Sequence, residues 1–180
     1  MRIISGNFRG KIIVAPTDLP VRPTTDFAKT GLFNILNNQY NFFTADVLDL
    51  FSGTGNIAHE FVSRGCKSLV AVDNNKICTK FIEQTLERLN AEPTMEVVKS
   101  DASQYLMNTH RTFDIIFADP PYELSVIEDL HQIIMERKLL NKKGIVVFEH
   151  EATKDYSTLL NFTDKRKYGN VAFTFFKNET

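Results

Sequence analysis

The chain has 180 residues, 43% hydrophobic and 24% charged, with a net charge of −1. That length fits one domain with a real core, and the balanced charge excludes a globally basic nucleic-acid binder, so any such surface is local. No apolar run reaches membrane-spanning length and residues 1–4 are too short for a signal peptide, which points to a cytoplasmic protein with no membrane partner.

Residues 2–5 and 11–14 read as two short strands joined through a turn at 6–10, a hairpin set before the main domain. Gly10-Lys11 is no phosphate loop, because Ser5 occupies the first glycine position and Ile12 the Ser/Thr position. Pro16, Pro20 and Pro23 give an extended loop. Thr25 caps a helix with Asp26 in its first turn and Ala28, Leu32, Ile35 and Leu36 on one face. From Ala45 strands and helices alternate, which predicts an α/β domain with a largely parallel sheet. Strands fall at 47–50, 69–72, 95–98, 115–118 and 144–148. Helices are striped by Ile57, Phe61 and Val62, by Cys78, Phe81, Ile82, Leu86 and Leu89, and by Leu124, Ile127, Leu130, Ile134 and Leu139. Residues 162–167 and 171–176 close the chain as an antiparallel pair around Tyr168-Gly169-Asn170.

Two constellations carry chemistry. Gly53-Thr54-Gly55-Asn56-Ile57-Ala58 fits the glycine pattern of nucleotide-binding turns, between a strand and its helix. Asp73 ends the next strand, placed to accept from both hydroxyls of a ribose. NAD and S-adenosylmethionine fit this much equally. Asp49, just before the turn, favours the sulfonium cofactor, since a carboxylate complements a cationic amino-acid ligand better than a pyrophosphate. Asp101 can accept from an adenine amino group with the Ala102 N–H toward a ring nitrogen, or it is a plain helix N-cap. Phe51 and Asn74 complete the candidate cofactor set.

The second constellation is Asp119-Pro120-Pro121-Tyr122, which closes the apolar run 113–118. Two prolines fix a stiff, non-helical corner beyond the carboxyl end of the sheet, where open α/β sheets bind ligands. Asp119 and the Pro120 carbonyl are expected to accept the hydrogens of a flat exocyclic amine and aim its lone pair, with Tyr122 stacked on the base. Cys66 and Cys78 fit neither a zinc site nor a disulfide framework, and His59, His110, His131 and His150 are scattered, so no metal is expected.

On these motifs the chain resembles the RsmD family, bacterial methyltransferases of guanine N2 in 16S ribosomal RNA. The resemblance runs from Met1-Arg2-Ile3-Ile4-Ser5-Gly6 and Arg9-Gly10-Lys11 through Arg22-Pro23-Thr24-Thr25-Asp26. It continues through the glycine turn and Asp119-Pro120-Pro121-Tyr122 to Lys167-Tyr168-Gly169. It implies a Rossmann-like class I S-adenosylmethionine-dependent methyltransferase fold, with a seven-stranded, mostly parallel sheet whose last strand is antiparallel. It also implies a single domain over 1–180, with 1–40 as a hairpin and helix extension and 45–180 as the catalytic core. Departures are Phe27-Ala28-Lys29-Thr30-Gly31, in place of a more basic, glycine-free helix start, and Asp73 where the family often has Glu. Arg2, Arg9, Lys11, Arg22 and Lys29 are the expected RNA contacts, with Lys165-Arg166-Lys167 as a further group. The expected partner is small-subunit rRNA within a ribosomal particle, and the enzyme is expected to be a monomer. Rival readings are an adenine-N6 methyltransferase, an NAD-dependent dehydrogenase, and an assembly factor without catalysis.

Overall fold

The computed structural model describes residues 1–16, 19 and 24–179. Helix α1 (Asp26–Asn37) begins where the Thr25 hydroxyl accepts from the Ala28 N–H at 3.2 Å, with Asp26 against the helix dipole. Then β1 (Asp46–Leu50), α2 (Asn56–Ser63), β2 (Ser68–Asp73), α3 (Lys76–Leu89), β3 (Met95–Lys99), α4 (Ala102–Asn108), β4 (Phe113–Ala118), α5 (Ile127–Glu136) and β5 (Leu140–Glu151) alternate. The chain ends in β6 (Phe162–Tyr168) and β7 (Val171–Lys177).

These strands make one seven-stranded sheet in the order β3-β2-β1-β4-β5-β7-β6. Strands β1 to β5 pair in parallel, and β7 inserts antiparallel between β5 and β6. Parallel strands are covered on both faces, which is why β2 and β4 read as largely apolar runs. One face packs α1, α2 and α3 around Phe33, Phe61, Ile82 and Phe117, while the other packs α4 and α5 around Leu106, Leu130, Ile134 and Phe148. Chain order reverses between β1 and β4, so the loops after these two strands flank the topological switch point of the sheet.

Three expectations need correction. The N-terminal hairpin forms but pairs over less than 2–5 with 11–14: Met1 and Ile13 bond each other in both directions at 2.9 Å, the Ile3 N–H bonds the Lys11 carbonyl at 3.0 Å, and Arg2 bridges Ile12. The next amides bond to α2: the Ile4 and Ser5 N–H groups donate to the Glu60 carboxylate at 2.8 and 3.0 Å, and the Asn7 N–H to the Ser63 carbonyl at 2.7 Å. Residues 1–8 thus lie along α2, with Ile3 and Ile13 in the same core as Phe61. Gly6 permits the close approach, since a Cβ there would stand 1.9 Å from the Ser63 carbonyl oxygen. Secondly, α5 excludes Leu124 and Leu139. Leu124 sits in an isolated turn (Tyr122–Leu124) closed by left-handed Ser125, and Leu139 follows left-handed Lys138 beyond the helix. Thirdly, β5 is longer than 144–148 in both directions. Asn141 is tied to Asp114 at 3.0 Å and the Lys143 carbonyl to the Tyr40 hydroxyl at 2.7 Å, so a run resembling a turn stays in the sheet.

Gly31 has a steric explanation. The Tyr168 ring of β6 lies where a Cβ on Gly31 would be, 2.2 Å from its nearest ring carbon, and packs edge-on against Phe27 at 5.5 Å.

Candidate active site at the carboxyl edge of the sheet

The loop after β1 is bent by three left-handed residues, Phe51 (φ 58°), Gly53 (φ 54°) and Gly55 (φ 77°). A left-handed conformation is costly for a residue with a side chain, and Phe51 adopts it where the chain leaves β1; the Ser52 and Gly55 N–H groups are then bound to the Val72 and Ser52 carbonyls. Gly55 is confined further by His59, whose Nδ1 lies 2.6 Å from the Gly55 carbonyl oxygen and would meet a Gly55 Cβ at 2.5 Å. His59 is therefore a buried structural group, with burial holding its pKa down to about 4.

Strand alternation places Asp49, Asp73, Asp119 and Glu149 on the α1–α3 face. Val47 and Phe117 point into that face while Leu48, Ala118 and Phe148 point into the other. Asp49 pairs laterally with Phe117, and Ala118 with Phe148, so the four carboxyls gather where β1, β2, β4 and β5 end. Asp49 is 1% exposed and its Oδ2 has no hydrogen-bond partner. Burial first, then the charge of Asp73, pushes its pKa up to about 8. Asp119 is likewise raised well above the carboxylate range by desolvation, then by Glu149 and Asp49. Asp73 accepts from the Gly53 N–H and the Asn75 N–H, both at 2.8 Å, which fastens the glycine turn to the end of β2. No ion pair among the described residues involves any of these four side chains. An unpartnered oxygen on the buried Asp49 carboxyl, beside three further carboxyls, can accept a cationic ligand, which fits the sulfonium and ammonium of S-adenosylmethionine better than a pyrophosphate.

Beyond β4 the Asp119 N–H still reaches the Leu50 carbonyl at 3.4 Å, and the chain then turns through buried Pro120 and exposed Pro121. Tyr122 is 41% exposed. Beside this corner a cavity of about 20 Å³ is lined by Pro120, Tyr122, His150 and Tyr156. A cleft of about 600 Å³ lies at the other end of the strands, lined by Asn38, Tyr40, Phe43 and Arg64, and no candidate site residue borders it.

The chain matches one family model over residues 1–177, described as conserved hypothetical protein 95. It is 29% identical to YlbH of Bacillus subtilis over 98% of both chains. It is 27% identical to the Escherichia coli protein named ribosomal RNA small subunit methyltransferase D, covering 99% of this chain and 90% of the relative. The solved yhhF chain of Escherichia coli superposes with a TM-score of 0.87 at 27% identity, covering 99% of this chain and 98% of that one. The chain belongs to the RsmD family. Its fold is that of S-adenosylmethionine-dependent methyltransferases.

Other candidate residues of this RsmD-family chain are more dispersed. Asn74 is exposed directly after Asp73. Asp101 is exposed and caps α4, its Oδ1 accepting from the Gln104 N–H at 3.0 Å, with Ala102 buried behind it. Arg2 pairs with Asp26 at 3.1 Å, and Arg9 and Lys11 are exposed on the N-terminal segment. Arg22 lies outside the described residues. Lys165 bonds the Ala152 carbonyl at 3.3 Å and Arg166 pairs with Asp164 at 2.6 Å.

Lys29 corrects an expectation. It is 1% exposed, so it is no RNA contact; its Nζ donates to the Arg2 carbonyl at 2.6 Å and Asn56 Oδ1 at 2.8 Å, and lies 3.5 Å from Glu60. Lys29 shares a buried helical stripe with Leu32, Phe33 and Leu36, but its charge reads as a solvent-facing residue. Glu60 sits on the buried stripe of α2 in the same way. Glu149 also escaped notice, because a strand reading stopped at the last apolar residue, Phe148.

Proposed function

We propose that the chain is an S-adenosylmethionine-dependent methyltransferase of ribosomal RNA, acting on the exocyclic N2 amine of a guanine in the small subunit. The observation that carries this reading is the orphaned Asp49 oxygen on the same sheet face and edge as the Asp119–Pro120 corner. A site for a cation and a clamp for an amine then share one pocket floor. The name of the Escherichia coli relative supports the choice of substrate.

In this reading Asp49 faces the cationic amino-acid end of the cofactor, with Phe51, Gly53 and Gly55 presenting backbone to it. Asp73 and Asn74 hold the ribose, and Asp101 and Ala102 the adenine. When bound, S-adenosylmethionine supplies a methyl group already activated on sulfur. Asp119 and the Pro120 carbonyl accept the two hydrogens of the target amine, whose lone pair is otherwise delocalised into the ring. They thereby turn that lone pair outward, a gain mainly in orientation. Tyr122 stacks on the flipped base, worth roughly 1–3 kcal/mol. Arg2, Arg9, Lys11 and Arg22 bind phosphates, which gives affinity and salt dependence rather than base choice. The protein acts as a monomeric single domain in the cytoplasm, on rRNA within a ribosomal particle, and needs no metal.

The test is methylation of small-subunit particles from a strain lacking the gene, followed by nucleoside mass spectrometry. N2-methylguanosine is expected. N6-methyladenosine would overturn the guanine assignment, and no methyl incorporation would overturn the enzyme.

A further inference from the structure

Glu149 belongs to no motif, yet it is built into the site with care. It is 3% exposed, and the Ala118–Phe148 register of the parallel pair β4–β5 makes it the lateral neighbour of Asp119. Its Oε2 accepts from the Thr24 hydroxyl at 2.6 Å. Thr24 is itself anchored: its carbonyl accepts from Asn56 Nδ2 at 2.9 Å, and Asn56 Oδ1 accepts from buried Lys29 at 2.8 Å. A chain of buried hydrogen bonds therefore runs from the Arg2 carbonyl through Lys29, Asn56 and Thr24 to Glu149.

Such a carboxyl serves stability badly. A buried carboxylate kept for structure is paired with a cation or with several N–H groups. Glu60 has both, in Lys29 and Arg64 and in the Ile4 and Ser5 amides. Among the described residues Glu149 instead has a neutral hydroxyl and a second carboxyl beside it, and burial pushes its pKa up to about 7. It is held as an acceptor facing the corner where the amine is clamped.

We propose that Glu149, positioned by Thr24, reads the target base by accepting the N1–H of guanine while Asp119 and the Pro120 carbonyl hold its N2 amine. This rests on the methyltransferase reading above and adds the residue that selects the base. Guanine presents two adjacent donors, N1–H and the N2 amine. Adenine and cytosine place a ring nitrogen with a bare lone pair beside their amine. With Glu149 ionised, two adjacent carboxyls accept from the first pattern and repel the second, because a carboxylate facing a lone pair leaves both groups unpaired; the preference is therefore read at about pH 8.5, above the Glu149 pKa of about 7. Asp119-Pro120-Pro121-Tyr122 suits any exocyclic amine, so the choice among bases must come from a neighbour, and Glu149 is the adjoining acceptor.

The test uses the full chain and small-subunit particles carrying, at the methylated position, either guanine or 2-aminopurine. The latter keeps the N2 amine but has a lone pair at N1. Wild type is expected to prefer guanine by about 10²-fold in kcat/KM. Glu149→Gln, whose amide can donate to that lone pair, is expected to cut the preference at least tenfold and to bind S-adenosylmethionine as wild type does. A residue with a merely structural role would lower both rates alike and leave the ratio unmoved. Equal use of the two bases by wild type, or an unchanged ratio in Glu149→Gln, overturns the proposal. Should Glu149→Gln not fold, Thr24→Val decides: its ratio must also fall, and an unchanged one overturns the proposal. Failure of wild type to methylate guanine particles at all overturns the methyltransferase reading, and this proposal with it. That outcome is distinct from methylation of both bases.

Discussion

Asp49 offers the most discriminating measurement. Its carboxyl is buried with an unpartnered Oδ2, and desolvation, helped by Asp73, lifts its pKa from 3.8 to about 8. At pH 7 a group with that pKa retains about 0.9 of a proton. A cationic ligand favours the ionised form, so binding must expel this proton. Below the raised pKa each unit of acidification is expected to weaken the ligand by up to about tenfold, or about 1.4 kcal/mol. The affinity for S-adenosylmethionine should therefore climb by up to about 50-fold between pH 6 and 8, reduced by the loss of the ligand's own ammonium charge near pH 8. Without ligand the sign reverses. The folded state binds a proton that the unfolded chain has released, so stability falls as pH rises from 3.8 toward about 8. Titration calorimetry in two buffers of different ionisation enthalpy measures the proton count directly. The α-amino group of the ligand titrates at roughly 7.7–8.0 and contributes equally to wild type and Asp49→Asn, so their difference isolates Asp49. An excess of about 0.9 proton from wild type at pH 7 is expected. Equal release from both proteins would show that the carboxyl does not face the cation.

Asp119→Ala is expected to lower turnover by roughly 10²-fold or more while the dissociation constant for S-adenosylmethionine stays nearly the same; near-normal turnover would remove Asp119 from the amine clamp. Asp73→Ala should weaken cofactor binding by about 1–3 kcal/mol in the same calorimetric assay, and an unchanged constant would take it out of the ribose site. Lys29→Met removes the cation from a buried pair. Glu60 keeps Arg64 and two backbone donors, so urea unfolding should show a loss near the low end of the usual range, about 3 kcal/mol. A loss below about 1 kcal/mol would mean the buried network is not cooperative.

The sheet was legible because its parallel strands are buried on both faces and its helices carry clean stripes. The glycine turn and the Asp119 corner stood out for a related reason, since glycine and proline mark backbone that departs from regular structure. Lys29, Glu60 and Glu149 were hidden by the opposite circumstance: each is a charged residue within a regular element, where composition predicts exposure. Only tertiary contact distinguishes Lys29, which reaches across to Arg2 and Asn56, from Lys11, which remains in solvent. The N-terminal hairpin was legible in outline, but its pairing is shorter than 2–5 with 11–14. Glu60, 55 or more residues away, binds the Ile4 and Ser5 amides. A reading of local pattern has no access to a competitor so distant in the chain.

The distribution of positive charge explains how the fold keeps an acidic edge. Lys29 and Arg64, the cations nearest the buried interior, are both committed to Glu60 at 3.5 and 2.8 Å. That pairing fixes residues 1–8 along α2 and, through Asn56, fixes the helix that follows the glycine turn. The carboxyls of Asp49, Asp119 and Glu149 have no ion-pair partner among the described residues, and burial raises the pKa of each. Stability is thus concentrated at one acidic residue and withheld from three others that share the sheet's carboxyl edge. A ligand that brings its own positive charge then finds the unpartnered Asp49 oxygen on that edge. The raised pKa of Asp49 makes the unliganded edge sensitive to alkali.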